Sequence, residues 1–535
     1  MTTFSRSSVR CATRPGCSLR PQRSLIPAWT TILALSLFTA GCPKVDVEPL
    51  SPPGLVTILH TNDLHGHYLP ERADWLPGTP EIGGFVRMEQ EVRAIRAARG
   101  RSNTLLLDAG DILTGTPLTA IKEEGAWGTP MLRFMEAVGY DAWAIGNHEF
   151  DRGLDNLSLL GGKAPFSMLS ANIRAKGGTA PLMPNQGFSR VFVVNGLRVG
   201  VIGATTDQLR TLVSPADWER MHTLSATEAV RAEVAVLDPL TDVIIALTHL
   251  GVDADKSLAA AVPGIDLIVG GHSHTRLTEA VRQGETWIVQ TGSYGRSLGV
   301  VEMSIADDAV AGFRYQLRDL VLDTASVAPD PSLQGLVSHY QANIDSLYGE
   351  QLGKAPKKLE KEYSHESALG RWVSDALRVT THSDIGMYNG GGLRSEIQAG
   401  IVTRRHIFEC FPFENPVMTF GVTGEALVGI VLRNIAADAD GKHGFLSLGG
   451  VSWTWRLNGT APEVVAINVG GQPVDLSRRY TAAATSYITE QWEKHLGFEP
   501  KDAQSAGSND FEAAVEYARV HGLGEDGVPR GVRVD

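Results

Sequence analysis

The sequence predicts an α/β first domain, or a four-layered relative of one, followed by a smaller α+β domain. Three observations predict this. The chain has 535 residues, and at roughly 100–200 residues per domain it holds two or more. From 55 to about 325 one unit recurs: a short apolar, β-branched run ends in polar residues, and a helical or loop segment follows. From about 354 the pattern changes, beginning helical and becoming rich in strands and turns.

Residues 1–24 carry Arg6, Arg10, Arg14, Arg20 and Arg23 and no acid, and LIPAWTTILALSLFTAGC (25–42) is apolar but too short and wrongly flanked for a spanning helix. This reads as an export signal. Its ending, TAGC, points to lipoprotein processing with Cys42 as the lipidated N-terminus, although Thr39 stands where an aliphatic residue is usual. Lipidation tethers a chain to a membrane face without spanning it. The expected product is periplasmic or at the cell surface. Residues 43–54 (PKVDVEPLSPPG) form a Pro-rich tether. Cys11 and Cys17 leave with the signal, so only Cys42 and Cys410 remain. That count excludes thiolate metal sites and argues against a disulfide framework. Cys410, in IFECFPF, reads as core.

The first domain is expected over 55–327. Its runs are VTILHT (56–61), TLLLDAGD (104–111), DAWAIGNHE (141–149), SMLSANI (167–173), LRVGVIGATT (197–206), DVIIALTHLG (242–251), DLIVGGHSH (266–274) and TWIVQTGSYG (286–295). Runs this continuous suit strands buried on both faces. A connecting helix opened by Pro and Asp is expected within 328–353, and the second domain over 354–535. Apolar content of 43% with 20% charged residues permits sizeable cores. A net charge of −12 argues against a nucleic-acid duplex as partner. It leaves room for a small phosphorylated substrate, because bound metals invert the local field.

The chemistry lies where the apolar runs end. Asp63 and His65 close the first run, Asp108 the second, Asn147 and His148 the third, His249 a fourth, and His272 and His274 a fifth. Open α/β sheets place ligand sites at such strand ends. Imidazole and carboxylate suit Zn, Mn or Fe, and a shared carboxylate can bridge two ions. One such terminus means little; five with the same donor chemistry in one domain point to a metal centre.

The series D-x-H, GD at the second strand end, GNHE-x-D, T-H and GHSH resembles the calcineurin-like metallophosphoesterases, and in particular the 5'-nucleotidase and UDP-sugar hydrolase family. The resemblance covers nearly all of the chain after the signal. It implies a four-layered α/β/β/α metallophosphoesterase domain with a 5'-nucleotidase-like C-terminal domain that helps to bind substrate. It implies two divalent ions (Zn, Mn, Co or Fe). Asp63, His65 and His274 would hold one, Asn147, His249 and His272 the other, and Asp108 would bridge them. A metal-activated hydroxide would attack phosphorus, with His148 stabilising or protonating the leaving group and Asp151 orienting it. Asp151 can also cap the helix that follows it. Glu149 reads as a hydrogen-bonding support and His67 as a loop histidine beside the site.

In the second domain YNGGGLRSEI (388–397) resembles the family's substrate-binding turn, with Asn389 near the reacting phosphate and Arg394 offering it a planar fork. FPFEN (411–415) supplies Phe413 and Asn415, and ATSYI supplies Tyr487. Phe413 and Tyr487 would clamp a nucleobase by stacking. Two departures stand out. Tyr363 occupies a position where the family has arginine, with Lys357, Lys358 and Lys361 nearby. The family's GGDG loop after the second aromatic is replaced by TEQWEKHLGF (489–498), in which Glu493 lies at the distance of the base-reading aspartate. The expected activity is release of phosphate from nucleotides outside the cytoplasm. Rival readings are a 2',3'-cyclic phosphodiesterase, a nucleotide-sugar pyrophosphatase, a sulfur-ester hydrolase on the same scaffold, or a non-catalytic surface binding protein.

Overall fold

Apolar runs buried on both faces explain the architecture of the first domain. The computed structural model describes residues 54–440, 444–459 and 461–534. The expected signal, Cys42 and nearly all of the tether lie outside these residues. One mixed sheet runs in the order Gln186–Gly187, Ser167–Leu169, Ala142–Ala144, Thr104–Asp108, Leu55–Thr61, Ser297–Ala306 and Ala309–Asp319. Its first five strands are parallel and the last two pair antiparallel. A second sheet runs Ser189–Val194, Leu197–Thr205, Val243–His249, Leu267–Gly270, Thr286–Val289 and Val281–Gln283, parallel at its centre.

Successive side chains leave opposite faces of a strand. Ile58, Leu105 and Leu107 therefore meet Ile245, Leu247 and Val269 in the core between the sheets. Leu59 and Leu106 face the other way, against Phe85, Met88, Met131 and Phe134. Ile244 and Ala246 face Val230, Val234 and Leu258. The helices Phe85–Arg99 and Thr129–Val138 thus cover one sheet, and Ala226–Leu237 and Val252–Ala261 cover the other. This is the four-layered α/β/β/α arrangement.

The helix Pro331–Tyr348 begins at Asp330, whose side chain accepts hydrogen bonds from the Ser332 and Leu333 amides, the expected N-cap with Pro in the first turn. It buries Leu333, Tyr340 and Ile344 in the first domain's helical core. Beyond it a five-stranded sheet runs Leu446–Gly449, Ile385–Asn389, Arg479–Thr485, Pro416–Thr423 and Gln504–Asn509. Ala483 faces a core containing Trp372, Phe411 and Phe511; Ala482 and Ala484 face one containing Ile385, Phe420 and Leu427. Cys410 lies buried in the former, and burial pushes its thiol pKa up, as suits a core residue. Among the described residues no helix is long and apolar enough to cross a membrane.

Candidate metal and active site

Parallel strands end together, so the loops that follow them converge. The Asp63 amide donates to the Gly110 carbonyl and the His65 amide to the Asp111 carbonyl, which interleaves the first two strand-end loops. Asp63, His65, Asp111, His272 and His274 all have left-handed φ, between 47° and 75°. Non-glycine residues rarely adopt this, and it is tolerated where the surroundings over-determine it.

Asp63, His65 and His274 bring ligand atoms together, as do Asp111, His249 and His272, and His65, Asp111 and His148 form a third group between them. The tautomers suit coordination. His65 Nδ1 donates to the Thr114 carbonyl at 2.8 Å and His249 Nδ1 to the Ala109 carbonyl at 2.7 Å. A carbonyl only accepts, so each Nδ1 carries the proton and each Nε2 keeps a lone pair for the site. His65 Nε2 and His274 Nε2 stand 3.2 Å apart. His249 Nε2 lies 2.9 Å from Asp111 Oδ2 yet, like Asn147 Oδ1, is buried without an aligned hydrogen bond. Two donors facing one space and unsatisfied buried acceptors are what divalent cations resolve. The residues present fit metal ions.

Asp108 is a correction. Thr61 pairs with Asp108 across the parallel strands, so Asp108 is level with the last residue of the first strand and lies below the ligand loops. Its oxygens are taken by the Thr61 hydroxyl at 2.6 Å and the Gly110 amide at 2.9 Å, and burial pushes its pKa up to about 7. Asp111, three residues on, occupies the place expected for it. The signal was present: the GD of the quoted motif is Gly110–Asp111, and Asp63 likewise lies beyond its strand rather than at its end.

Glu149 is fully buried. It accepts from the amides of Asp111 (3.0 Å), Ile112 (2.8 Å) and Gly146 (2.6 Å), stapling the loop that carries Asp111 to the one that carries Asn147 and His148. Burial and the Asp111 charge raise its pKa to about 8. His148 donates from Nδ1 to Asp151 Oδ2 at 2.6 Å, leaving Nε2 for the cleft. Burial lowers its pKa, but Asp151 and Asp111 outweigh burial and the net shift is upward. His67 stacks on Tyr294 at 4.1 Å, and the Tyr294 ring also packs edge-on to His65 and His274, at 5.8 Å from each. Sequence reasoning missed Tyr294, which sits in the strand-end turn TGSYG.

From the second domain Phe413 places its ring 5.7 Å from that of His148, and the Arg394 guanidinium lies 5.8 Å from the Phe413 ring. A cavity of about 100 Å³ opens between Arg394, His65 and Tyr294. Tyr487 reaches the first domain through its hydroxyl, which donates to the Thr211 carbonyl at 3.4 Å, and packs beside His495. Asn389 is buried at the head of the glycine turn, and the Asn415 carbonyl accepts from the Asp510 amide. Tyr363 lies over that turn, its ring within 3.4 Å of where a Cβ on Gly391 would stand. Lys357 and Lys358 pair with Glu525 and Glu396. Lys361 instead feels the Arg394 charge, which after burial is the next cause of its lowered pKa. Glu493 is exposed on the short helix Trp492–His495.

Residues 56–276 match the family described as calcineurin-like phosphoesterase, and 350–498 match the 5'-nucleotidase C-terminal domain. The 5'-nucleotidase of Homo sapiens is 30% identical over 442 residues, covering 75% of this chain and 76% of that protein. Protein UshA of Escherichia coli is 28% identical over 488 residues, covering 81% and 84%. The crystal structure of a 5'-nucleotidase precursor from Thermus thermophilus superposes with a TM-score of 0.77 at 26% identity, covering 90% of this chain and 99% of that one. The chain therefore belongs to the 5'-nucleotidase family of calcineurin-like phosphoesterases and is a metal-dependent phosphoester hydrolase.

Proposed function

We propose that this enzyme removes phosphate from nucleotides outside the cytoplasm, tethered through a lipidated Cys42. The observation that carries the substrate is Arg394. Among the described residues its guanidinium has no carboxylate within ion-pair distance, yet it stands beside Phe413 and close enough that its charge adds to burial in lowering the His65 pKa and opposes the upward shift at His148. An unneutralised guanidinium between a metal cluster and an aromatic ring fits a phosphate on one side and a planar organic group on the other.

In this reading Asp63, His65 and His274 would hold one divalent ion and Asn147, His249 and His272 a second, with Asp111, in place of Asp108, as a further carboxylate ligand. Such ions supply Lewis-acid polarisation of phosphoryl oxygens and a more acidic bound water. Arg394 and Asn389 orient the phosphate. Phe413 and Tyr487 flank the base, and Asn415 positions the turn that carries Phe413. His148, its pKa raised by Asp151 and Asp111, holds a proton on Nε2 and gives it to the leaving oxygen, while Asp151 fixes the ring. The two-domain division at about 327 and 354 belongs to the same proposal, since residues from both sides complete the site.

The test is a panel of 5'-mononucleotides, 2',3'-cyclic nucleotides, UDP-sugars and an aryl phosphate, run with Mn, Zn, Co or Mg returned to metal-free protein. The mononucleotides are expected to give the highest kcat/KM. A preference for cyclic nucleotides or UDP-sugars overturns the substrate assignment, and bound metal without turnover overturns the enzymatic reading.

A further inference from the structure

Two residues in or beside the site motifs, the arginine after Asp151 and the glutamate after Phe413, have no part in the chemistry above. Arg152 Nη2 donates to Glu414 Oε2 at 2.5 Å, so the two loops are tied by a charged hydrogen bond across the cleft. Their side chains are only 20% and 23% exposed. The Arg152 guanidinium also packs 5.2 Å from the Trp127 ring, which fixes its approach. Glu414 adopts a left-handed φ of 52°, a conformation that costs free energy in a residue with a Cβ and points toward function rather than away from it. On either side of the tie stand the groups that must face each other: Asp151, hydrogen-bonded to His148, and Phe413, whose ring lies 5.7 Å from the His148 ring at 34°.

We infer that the Arg152–Glu414 pair is a positioning and specificity-determining device. It sets the distance between the protonating histidine and the aromatic that receives the organic group of the substrate. This rests on the nucleotide reading above. A substrate with a planar base uses both loops at once and needs them in register. A small aliphatic phosphoester uses only the metal cluster, Arg394 and His148, and is indifferent to the tie. A pair that merely stabilised the protein would affect both substrates alike. A partly buried pair also leaves an unneutralised charge when one partner is removed, so single removals are expected to be as damaging as the double.

The experiment compares metal-loaded wild type with Arg152→Met, Glu414→Gln, the double variant and the reversed pair Arg152→Glu with Glu414→Arg, assayed on AMP and on glycerol phosphate. Each single variant is expected to raise KM for AMP about tenfold, the size of a coupling between contacting residues. Glycerol phosphate turnover stays within about twofold, the double variant is no worse than either single, and the reversed pair recovers part of the loss. Equal losses on both substrates, additive effects of the two removals, or an unchanged KM for AMP overturn the inference. Wild type that turns over glycerol phosphate but not AMP removes the nucleotide reading itself and this inference with it, an outcome recognisable before any variant is made. The single substitutions carry the test if the reversed pair fails to fold.

Discussion

On the first domain's side of the cleft Asp63, His65, Asp111 and His249 are at most 2% exposed; the first three have a backbone twisted into the left-handed region, and the His249 ring donates to the Ala109 carbonyl. On the second domain's side Arg394, Phe413 and Tyr487 are half-buried, and Arg394 and Phe413 touch the site through ring and guanidinium contacts rather than hydrogen bonds. Metal ligation and proton transfer demand fixed geometry, and buried networks provide it. Recognition of an organic group tolerates looser support, because aromatic rings associate in both offset-stacked and edge-to-face arrangements over a range of separations.

The sharpest way to break this comparison is at Asp111. Asp111→Asn is expected to lower metal content and to reduce kcat by on the order of 10³-fold, the scale of losing a fixed charge at a reacting centre. Asp108→Asn, deeper and engaged with Thr61 and Gly110, is expected to keep its metals. Elemental analysis of both variants decides between the two carboxylates, and metal loss in Asp108→Asn alone would restore the sequence-based assignment.

His148→Ala separates chemistry from ligation. A drop in kcat of about 10²–10⁴-fold with unchanged metal content is expected for a proton donor. Loss of metal instead would move His148 into the ligand set, where its grouping with His65 and Asp111 makes that outcome readable.

Much of the first side was legible in the sequence because its determinants are local. Apolar runs buried on both faces gave the layers, and donor residues at or just past the runs gave most of the groups that converge at the candidate metal site. The error at Asp108 shows the limit of that rule: His249 ends its strand, but the Asp63 and Asp111 carboxylates lie in the loops beyond theirs. The second side was less legible because its contacts are long-range. Arg152 and Glu414 are 262 positions apart, and nothing in either local pattern announces the pair. Tyr363 was recognisable as a departure, but its place over the glycine turn depends on how residues 390–391 and 444 come together, which no single stretch encodes.

A smaller effect is expected at Tyr487. Tyr487→Ala should raise KM for nucleotides by the equivalent of roughly 1–3 kcal/mol of lost stacking, with kcat little changed. If kcat falls as far as in His148→Ala, the second side is as tightly built into the chemistry as the first, and the contrast between the two collapses.

The last expected effect is on stability alone and concerns what a buried, polar catalytic side costs. Asp255 is fully buried next to that side; its Oδ1 accepts from Thr248 at 2.6 Å while its Oδ2 has no hydrogen-bond partner among the described residues. Burial raises its pKa from 3.8 to about 7. Between these values the folded protein binds a proton that the unfolded chain has released, so stability falls as pH rises, at up to about 1.4 kcal/mol per pH unit. Below about pH 4 both states are protonated, and above about pH 7 both are ionised and the full cost is present. Asp108 and Asp510, also raised to about 7 by burial, contribute in the same sense, so the difference between wild type and Asp255→Asn isolates this carboxyl. Asparagine keeps the Thr248 hydrogen bond and cannot ionise. The Tm of Asp255→Asn relative to wild type is therefore expected to rise between pH 5 and pH 8, and a difference that stays flat across that range would mean that Asp255 is ionised in the folded protein and has a counter-charge or water to hold it there.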